Sequence, residues 1–459
     1  MSIGLNVHPG TSQAIPAVSG RRSRTGRVLL FLLFLLMMID AIPGMGVGIA
    51  PGLSAKNLYL YSLCVYIGAR AVMNPSGLRF VDLAIHVPFL LLIAYALATL
   101  AVSIISDPGY ATIPGGRTLK NKLIDLYLLF FVFRYLVSDR EDFLWLIKSI
   151  VVFMLIASVV TLIDFLNIPD LGIIGTHRGR IEGPIGSANQ YGAMLAFLLP
   201  ITLATMPETG QVKRWLWRFG ILISVVLLIG TGSRGAYFAT IAGSVLAVYL
   251  VRRHIDMRTV VRTAAISAVV LMVLVVSYML LNPDFLANLL EKSTTGNIET
   301  ASSGRWAIWS AAFGVMLEAP LSFFVGYGWN TFDSSGIWKS AHSEYVDRFF
   351  ELGIMGLLIY CSLLFMIVRE FKNSLNVVDA VAHPLMRAFV FSLCILVIDI
   401  MFTMPYTAWN VIWIFIGLML GLKDTSIAEE APTKASVDAP PARQERSSAA
   451  YFRLRGEPT

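Results

Sequence analysis

Charge is scarce in this sequence. Only 14% of its 459 residues are Asp, Glu, Lys or Arg, while 56% are hydrophobic. So few charges cannot cover the water-facing surface of a soluble protein of this length, which excludes that class. Cysteine is scarcer still. Cys64, Cys361 and Cys394 all lie inside apolar runs, which leaves no pair for a disulfide framework and no thiolate metal site. No Walker motif occurs, so ATP is not implied, and no HExxH or Cys/His metal spacing is found. No cofactor is expected.

Apolar runs are plentiful. A run of about 20 such residues crosses a hydrocarbon core roughly 30 Å thick. The sequence predicts an all-α polytopic membrane protein with about twelve spans, near 28–48, 57–74, 82–105, 120–137, 143–166, 185–206, 216–231, 234–251, 261–281, 350–369, 386–404 and 407–422. The fourth is the least apolar, since it contains Lys120, Lys122, Asp125 and Arg134. The first run is long and has no small-residue cleavage site, so it reads as an uncleaved span after a polar tail, 1–27. The membrane domain is then 28–422, and the Ala-, Pro- and charge-rich stretch 423–459 reads as a disordered cytoplasmic tail.

The net charge of +7 is not a nucleic-acid signal in such a chain. Basic residues of membrane proteins collect in cytoplasmic loops. With the N-terminus inside, 20 of the 36 Lys and Arg residues fall on the cytoplasmic side ahead of the C-terminal tail and 11 on the outer side. Both termini are expected in the cytoplasm. The largest outer loop is then about 282–349, and a second is 167–184. No DxD pair occurs in the outer segments, which argues against a divalent metal in the reaction.

Five arginines fall on the outer side: Arg178, Arg180, Arg234, Arg305 and Arg348. Guanidinium groups match phosphate oxygens in a bidentate fork, so a lipid-linked diphosphate at the outer interface is a natural ligand. Each also has a plainer reading. Arg234, within GTGSRGAYF, could simply anchor a span at the interface. Arg178 and Arg180, within HRGRIEGP, could be solvated loop residues. Arg305 opens a segment with Trp306, Trp309, Phe313, Met316 and Leu317 on one side, the spacing of an amphipathic interfacial helix. His342 stands beside Glu344 and Asp347 and could act as a general base or serve only to cap a helix. Asp40, Asp164 and Asp399 lie near outer span ends and are candidate partners for the arginines.

The segment SSGRWAIW…GYGWNTF…AHSEYVDRFFELGIMGLLIY resembles the signature region of the O-antigen ligase and Wzy-type polymerase superfamily. The family's late periplasmic loop has a GRxxxW start, a G-x-G stretch and an AHNxxL…E-x-G-x-x-G end. RIEGPIGSANQYG, with Asn189 at its polar position, and GTGSRGAYF resemble two further family landmarks. All run in the family's order from about 178 to 360. Ser343 replaces the family's Asn and Val346 its Leu, whereas His342, Glu351, Gly353 and Gly356 are kept.

The resemblance implies a GT-C-type glycosyltransferase fold. It implies transfer of a glycan from undecaprenyl diphosphate to a sugar hydroxyl on the periplasmic face of a bacterial inner membrane. His342 would take the acceptor proton, and Arg178, Arg180, Arg234 and Arg305 would bind the diphosphate, with Asn189, Glu344 and Asp347 in support. The acceptor would be a growing glycan for a polymerase or lipid A-core for a ligase; a protein acceptor also occurs in the superfamily. Other polysaccharide export proteins are possible partners. The rival class is a twelve-span transporter, but such carriers often join two six-span halves by a long cytoplasmic loop, and the corresponding segment here, 207–215, is short.

Overall fold

The computed structural model describes residues 21–42, 45–50, 53–73, 83–106, 110–166, 176–177, 180–281, 287, 302, 304–338 and 340–437. Arg178, most of the N-terminal tail, much of the 282–303 segment and the chain after 437 lie outside the described residues.

The described chain is mostly helical. Its helices are α1 (Arg21–Ala41), α2 (Ala55–Met73), α3 (Leu83–Ser106), α4 (Thr112–Leu119), α5 (Asp125–Tyr135), α6 (Arg140–Phe165), α7 (Ala188–Ala204), α8 (Gln211–Gly230), α9 (Arg234–Val251), α10 (Met257–Leu281), α11 (Arg305–Glu318), α12 (Pro320–Val325), α13 (Glu344–Ser374), α14 (His383–Asp399) and α15 (Ala408–Val437). Two small antiparallel hairpins interrupt them. They pair β1 (Gly48–Ala50) with β2 (Leu53–Ser54) and β3 (Thr176–His177) with β4 (Arg180–Ile181).

A helix stands at each of the twelve positions expected from the apolar runs. Among the described residues four segments are long and apolar enough to cross a membrane by length and composition: Ala84–Ser106, Arg140–Phe165, Arg234–His254 and Glu344–Ser374. The bundle also shows a lipid-type exterior. Leu91, Val245, Leu358 and Phe365 are all exposed on helix surfaces, an arrangement that costs nothing only against hydrocarbon. The protein is therefore a helical, membrane-embedded one.

Two boundaries differ from expectation. The first helix begins at Arg21, and α15 runs on to Val437, well into the stretch read as disordered. Ion pairs hold the middle of α15: Arg134 on α5 donates to Asp424 at 3.0 Å, and Lys423 pairs with Glu370 of α13. Arg27–Asp142 at 3.2 Å and Arg140–Asp379 at 2.7 Å tie further helix ends at the same pole.

The charged fourth segment is helical because its charges are matched. A π-helical turn at Lys120–Ile124 leads into α5. Lys120 meets Asp125 at 2.7 Å, and the Tyr61 hydroxyl donates to Asp125 at 2.8 Å. An ion in an apolar bundle is tolerated when paired in this way.

The core forms where α14 packs on α9, α7 and α13, and where α15 packs on α5 and α6. Gly243 of α9 is needed here: a β-carbon at this position would lie 2.5 Å from the Ile395 α-carbon of α14. Small residues permit such close backbone approach where helices associate in lipid.

Candidate active site at one pole of the bundle

The site is assembled at the pole where α7, α9, α13 and α15 begin and α14 ends. Its first element is the turn before α9. Leu227, Leu228 and Gly230 close α8, Gly232 turns at φ +58°, and the Ser233 hydroxyl caps α9 by accepting from the Ala236 amide at 3.4 Å. Arg234 is thus the first residue of a helix of 18 residues. The positive end of the helix dipole favours an anion there.

Arg180 reaches the same turn from β4. Its Nε donates to the Thr231 carbonyl at 2.7 Å, and its Nη2 donates to Asn189 Oδ1 at 2.8 Å. Asn189 lies in the first turn of α7. Two bonds from two elements fix the guanidinium plane, which makes Asn189 an orienting residue for Arg180. Arg305 is the first residue of α11, after Gly304 at φ +77°. It too stands at a helix N-terminus.

The three guanidinium groups act on one another. Arg180 is held below the usual arginine range by burial first, with repulsion from Arg234 in the same direction. Arg305 is lowered by burial, then by Arg234 and by Arg180. An arginine stays cationic nonetheless, so three like charges are kept together, with Glu182 acting on Arg180 in the opposite sense. Asp399, at the end of α14, is buried and within electrostatic reach of Arg305, and neither of its carboxylate oxygens has a hydrogen-bond partner among the described residues. Of the three aspartates expected to serve the arginines, Asp399 is placed to do so. Asp40 instead pairs with Lys56 at 2.5 Å, and Asp164 is buried on α6.

His342 completes the group. Its backbone adopts φ +52°, uncommon for a side chain with a β-carbon. The strain is held by its neighbours: its amide donates to Ser340 Oγ at 3.2 Å, and the Glu344 amide donates to the Ile400 carbonyl at 2.9 Å. Burial, and then the charge of Arg305, hold the imidazole below the usual histidine range. Near neutral pH it is an uncharged base beside a cation. Ser343, at the position of the family's Asn, caps α13 by accepting from the Val346 amide at 3.4 Å.

Glu344 and Asp347 turn elsewhere. Their place in the sequence puts them beside His342, but α13 carries their side chains to Arg348, whose Nη2 meets Glu344 at 2.5 Å and whose Nη1 meets Glu351 at 3.4 Å and Asp347 at 3.7 Å. Spacings of three and four residues put these groups on one helix face, whereas a turn separates them from His342. Arg348 is 2% exposed and lies 4.7 Å from the centre of the Trp329 ring. It belongs to a buried ion cluster and not to the arginine group.

That cluster sits at a backbone lock. The Tyr327 amide donates to the Phe350 carbonyl at 3.0 Å and the Gly328 amide to the Glu351 carbonyl at 2.9 Å. Gly353, at φ +63°, breaks the α13 helix, and a β-carbon on it would lie 2.3 Å from the Phe324 carbonyl oxygen. The GYG and ELG stretches therefore clamp the loop onto α13 and set where His342 stands. Trp329 is buried and hydrogen-bonded through its carbonyl to the Tyr110 hydroxyl at 2.6 Å. Sequence reasoning misses it, because one more aromatic residue among apolar neighbours carries no signal.

α11 forms as expected, with Trp306, Trp309, Phe313, Met316 and Leu317 along one arc of the helix, of which only one edge is packed. Trp306, Phe313 and Leu317 are exposed, while Met316 is buried and Trp309 donates to the Ala341 carbonyl at 2.8 Å. Ile308, Ala312 and Met316 form the adjoining buried stripe, so one side is packed while the outer part of the apolar arc stays open.

Residues 219–361 match the O-antigen ligase family. That segment runs from α8 to Cys361 and contains Arg234, Arg305 and His342, while Arg180 and Asn189 precede it. No curated protein matches the chain. Residues 219–361 are thus similar to an O-antigen ligase domain of the Wzy-type superfamily, within a membrane-embedded helical protein.

Proposed function

We propose that this O-antigen-ligase-type membrane enzyme is a glycosyltransferase, moving a glycan from undecaprenyl diphosphate to a sugar hydroxyl at the periplasmic face of a bacterial inner membrane. The observation that carries the reading is the convergence of Arg180, Arg234 and Arg305 at one pole, with the neutral His342 next to Arg305. In this reading the twelve helices all span, in a GT-C-type arrangement, with both termini cytoplasmic and the arginine pole outside.

The chemistry follows from charge. The arginines and the N-termini of α9 and α11 bind the diphosphate and stabilise the negative charge that grows on it as the bond to the anomeric carbon breaks. Diphosphate leaves without being protonated. His342 takes the proton of the acceptor hydroxyl as its oxygen bonds to the anomeric carbon. Attack opposite the leaving group inverts that centre. Undecaprenyl diphosphate and the lengthened glycan are the products. Arg178 would extend the same cradle.

The test is genetic. Deletion of the gene should remove a long surface polymer, and wild type should restore it. Arg234→Ala and His342→Ala, at matched membrane levels, should not. Loss of secreted polysaccharide marks a polymerase; loss of O-antigen from lipopolysaccharide marks a ligase; a protein-linked glycan would mark the third branch. Full complementation by both variants would refute the mechanism and favour a transporter.

A further inference from the structure

The arginine group accounts for the donor and leaves the acceptor without a seat. We propose that a second cavity at the same pole binds the acceptor glycan; this rests on the transferase reading above. The cavity has a volume of about 370 Å³, within the roughly 300–1,000 Å³ range of small-molecule sites. It opens between α1, α2, the α4–α5 junction and the start of α15, with Asp40, Lys56, Asn121, Lys122, Tyr406 and Asn410 in its wall.

Its position suits an acceptor. The segment joining α14 to α15 is a partition with His342 on one side and the cavity on the other. Ser340, which holds the His342 amide, contacts Met404 Sδ through its hydroxyl at 3.1 Å, and the Tyr406 hydroxyl contacts the same sulfur at 3.3 Å. The next residue, Thr407, donates its amide to Gln190 Oε1 at 3.1 Å, and Gln190 follows Asn189, the residue that orients Arg180. Only the Met404 sulfur stands between the Tyr406 hydroxyl in the cavity wall and Ser340, which holds the His342 amide.

Its chemistry suits a sugar and not a second phosphate. The wall's ions are largely self-compensating: Lys56 with Asp40 at 2.5 Å, and Asp125 with Lys120 at 2.7 Å and with the Tyr61 hydroxyl at 2.8 Å. Lys122 rests 4.3 Å from the centre of the Tyr406 ring. Among the wall's neutral polar groups are Thr118 and the amides of Asn121 and Asn410; Asn121 Oδ1 accepts from Lys120 Nζ at 3.1 Å, which leaves its NH2 to donate, while the Asn410 amide can both donate and accept, and such groups match hydroxyls. A polar cavity of this size in an apolar bundle is costly to maintain without a polar occupant.

The test uses the purified full chain in nanodiscs. The probes are a lipid-linked donor and a size-fractionated oligosaccharide released from the host's own surface glycan. Asn121→Ala and Asn410→Ala should each raise the KM for the oligosaccharide about tenfold, the effect of one lost hydrogen bond. The donor KM and the melting temperature should hold. Saturation-transfer NMR without donor should show oligosaccharide binding to wild type and to Arg234→Ala, and its loss in the double Asn variant. If binding and acceptor KM survive the double variant, the cavity holds only water and the proposal is overturned, with the transferase reading untouched. If wild type transfers nothing yet binds the oligosaccharide in an Asn121- and Asn410-dependent way, the sugar site stands and the transferase reading falls.

Discussion

Asn189→Ala isolates the orientation of one arginine. Among the described residues Asn189 meets the arginine group by accepting from Arg180 Nη2 at 2.8 Å, and Arg180 keeps its second anchor, the Thr231 carbonyl at 2.7 Å. A hydrogen bond to a charged group contributes about 1.5–3 kcal/mol. If that bond places the guanidinium on the departing diphosphate, its loss lowers kcat/KM for the donor roughly 10- to 100-fold. The acceptor KM should not move, because Asn189 faces the arginine and not the base. Asn189→Asp should restore the geometry but add a charge that competes with the donor, so its donor KM should rise above that of wild type. The assay is transfer from purified lipid-linked donor to oligosaccharide in nanodiscs, with both substrates varied. A variant with wild-type donor kinetics, in a protein that Arg234→Ala inactivates, would refute the idea that Asn189 places Arg180 on the diphosphate.

Two further outcomes follow from the geometry. The His342 imidazole is held below its ordinary range by burial and by Arg305, so its base form persists as pH falls through the usual histidine pKa of about 6.5. The acid limb of kcat/KM should therefore lie below that value, and Arg305→Gln should move the limb upward whatever it does to the maximal rate; a limb that stays or moves down refutes His342 as the base. Gly353→Ala adds a β-carbon 2.3 Å from a carbonyl oxygen at φ +63°, which should cost about 2–5 kcal/mol. Thermal unfolding in detergent should show a clear loss of stability, and unchanged melting would mean that the GYG–ELG lock does not constrain the loop.

Residue order alone makes much of the molecule legible. Hydropathy acts along the chain, so apolar runs place a helix at every expected position. The cations at Arg180, Arg234 and Arg305 stand out because interfacial charge is costly, and the helix starts at Ser233 and Ser343 follow local capping rules. Less legible is which charge meets which. Glu344 and Asp347 are near His342 in sequence, yet helical spacing hands them to Arg348.

The sequence by itself determined a helical membrane protein with cationic turns between its apolar runs, because burying apolar surface and matching the bilayer depend on composition and order alone. Tertiary structure decided the rest. It brought Arg180, Arg234 and Arg305 from three distant segments to one pole, set Asn189 to orient the first of them, and clamped the loop through Gly353 so that His342 stands beside Arg305. It also opened a polar cavity across the partition from that histidine. Pairing and enclosure depend on distances between residues hundreds of positions apart, and those distances exist only once the helices have packed.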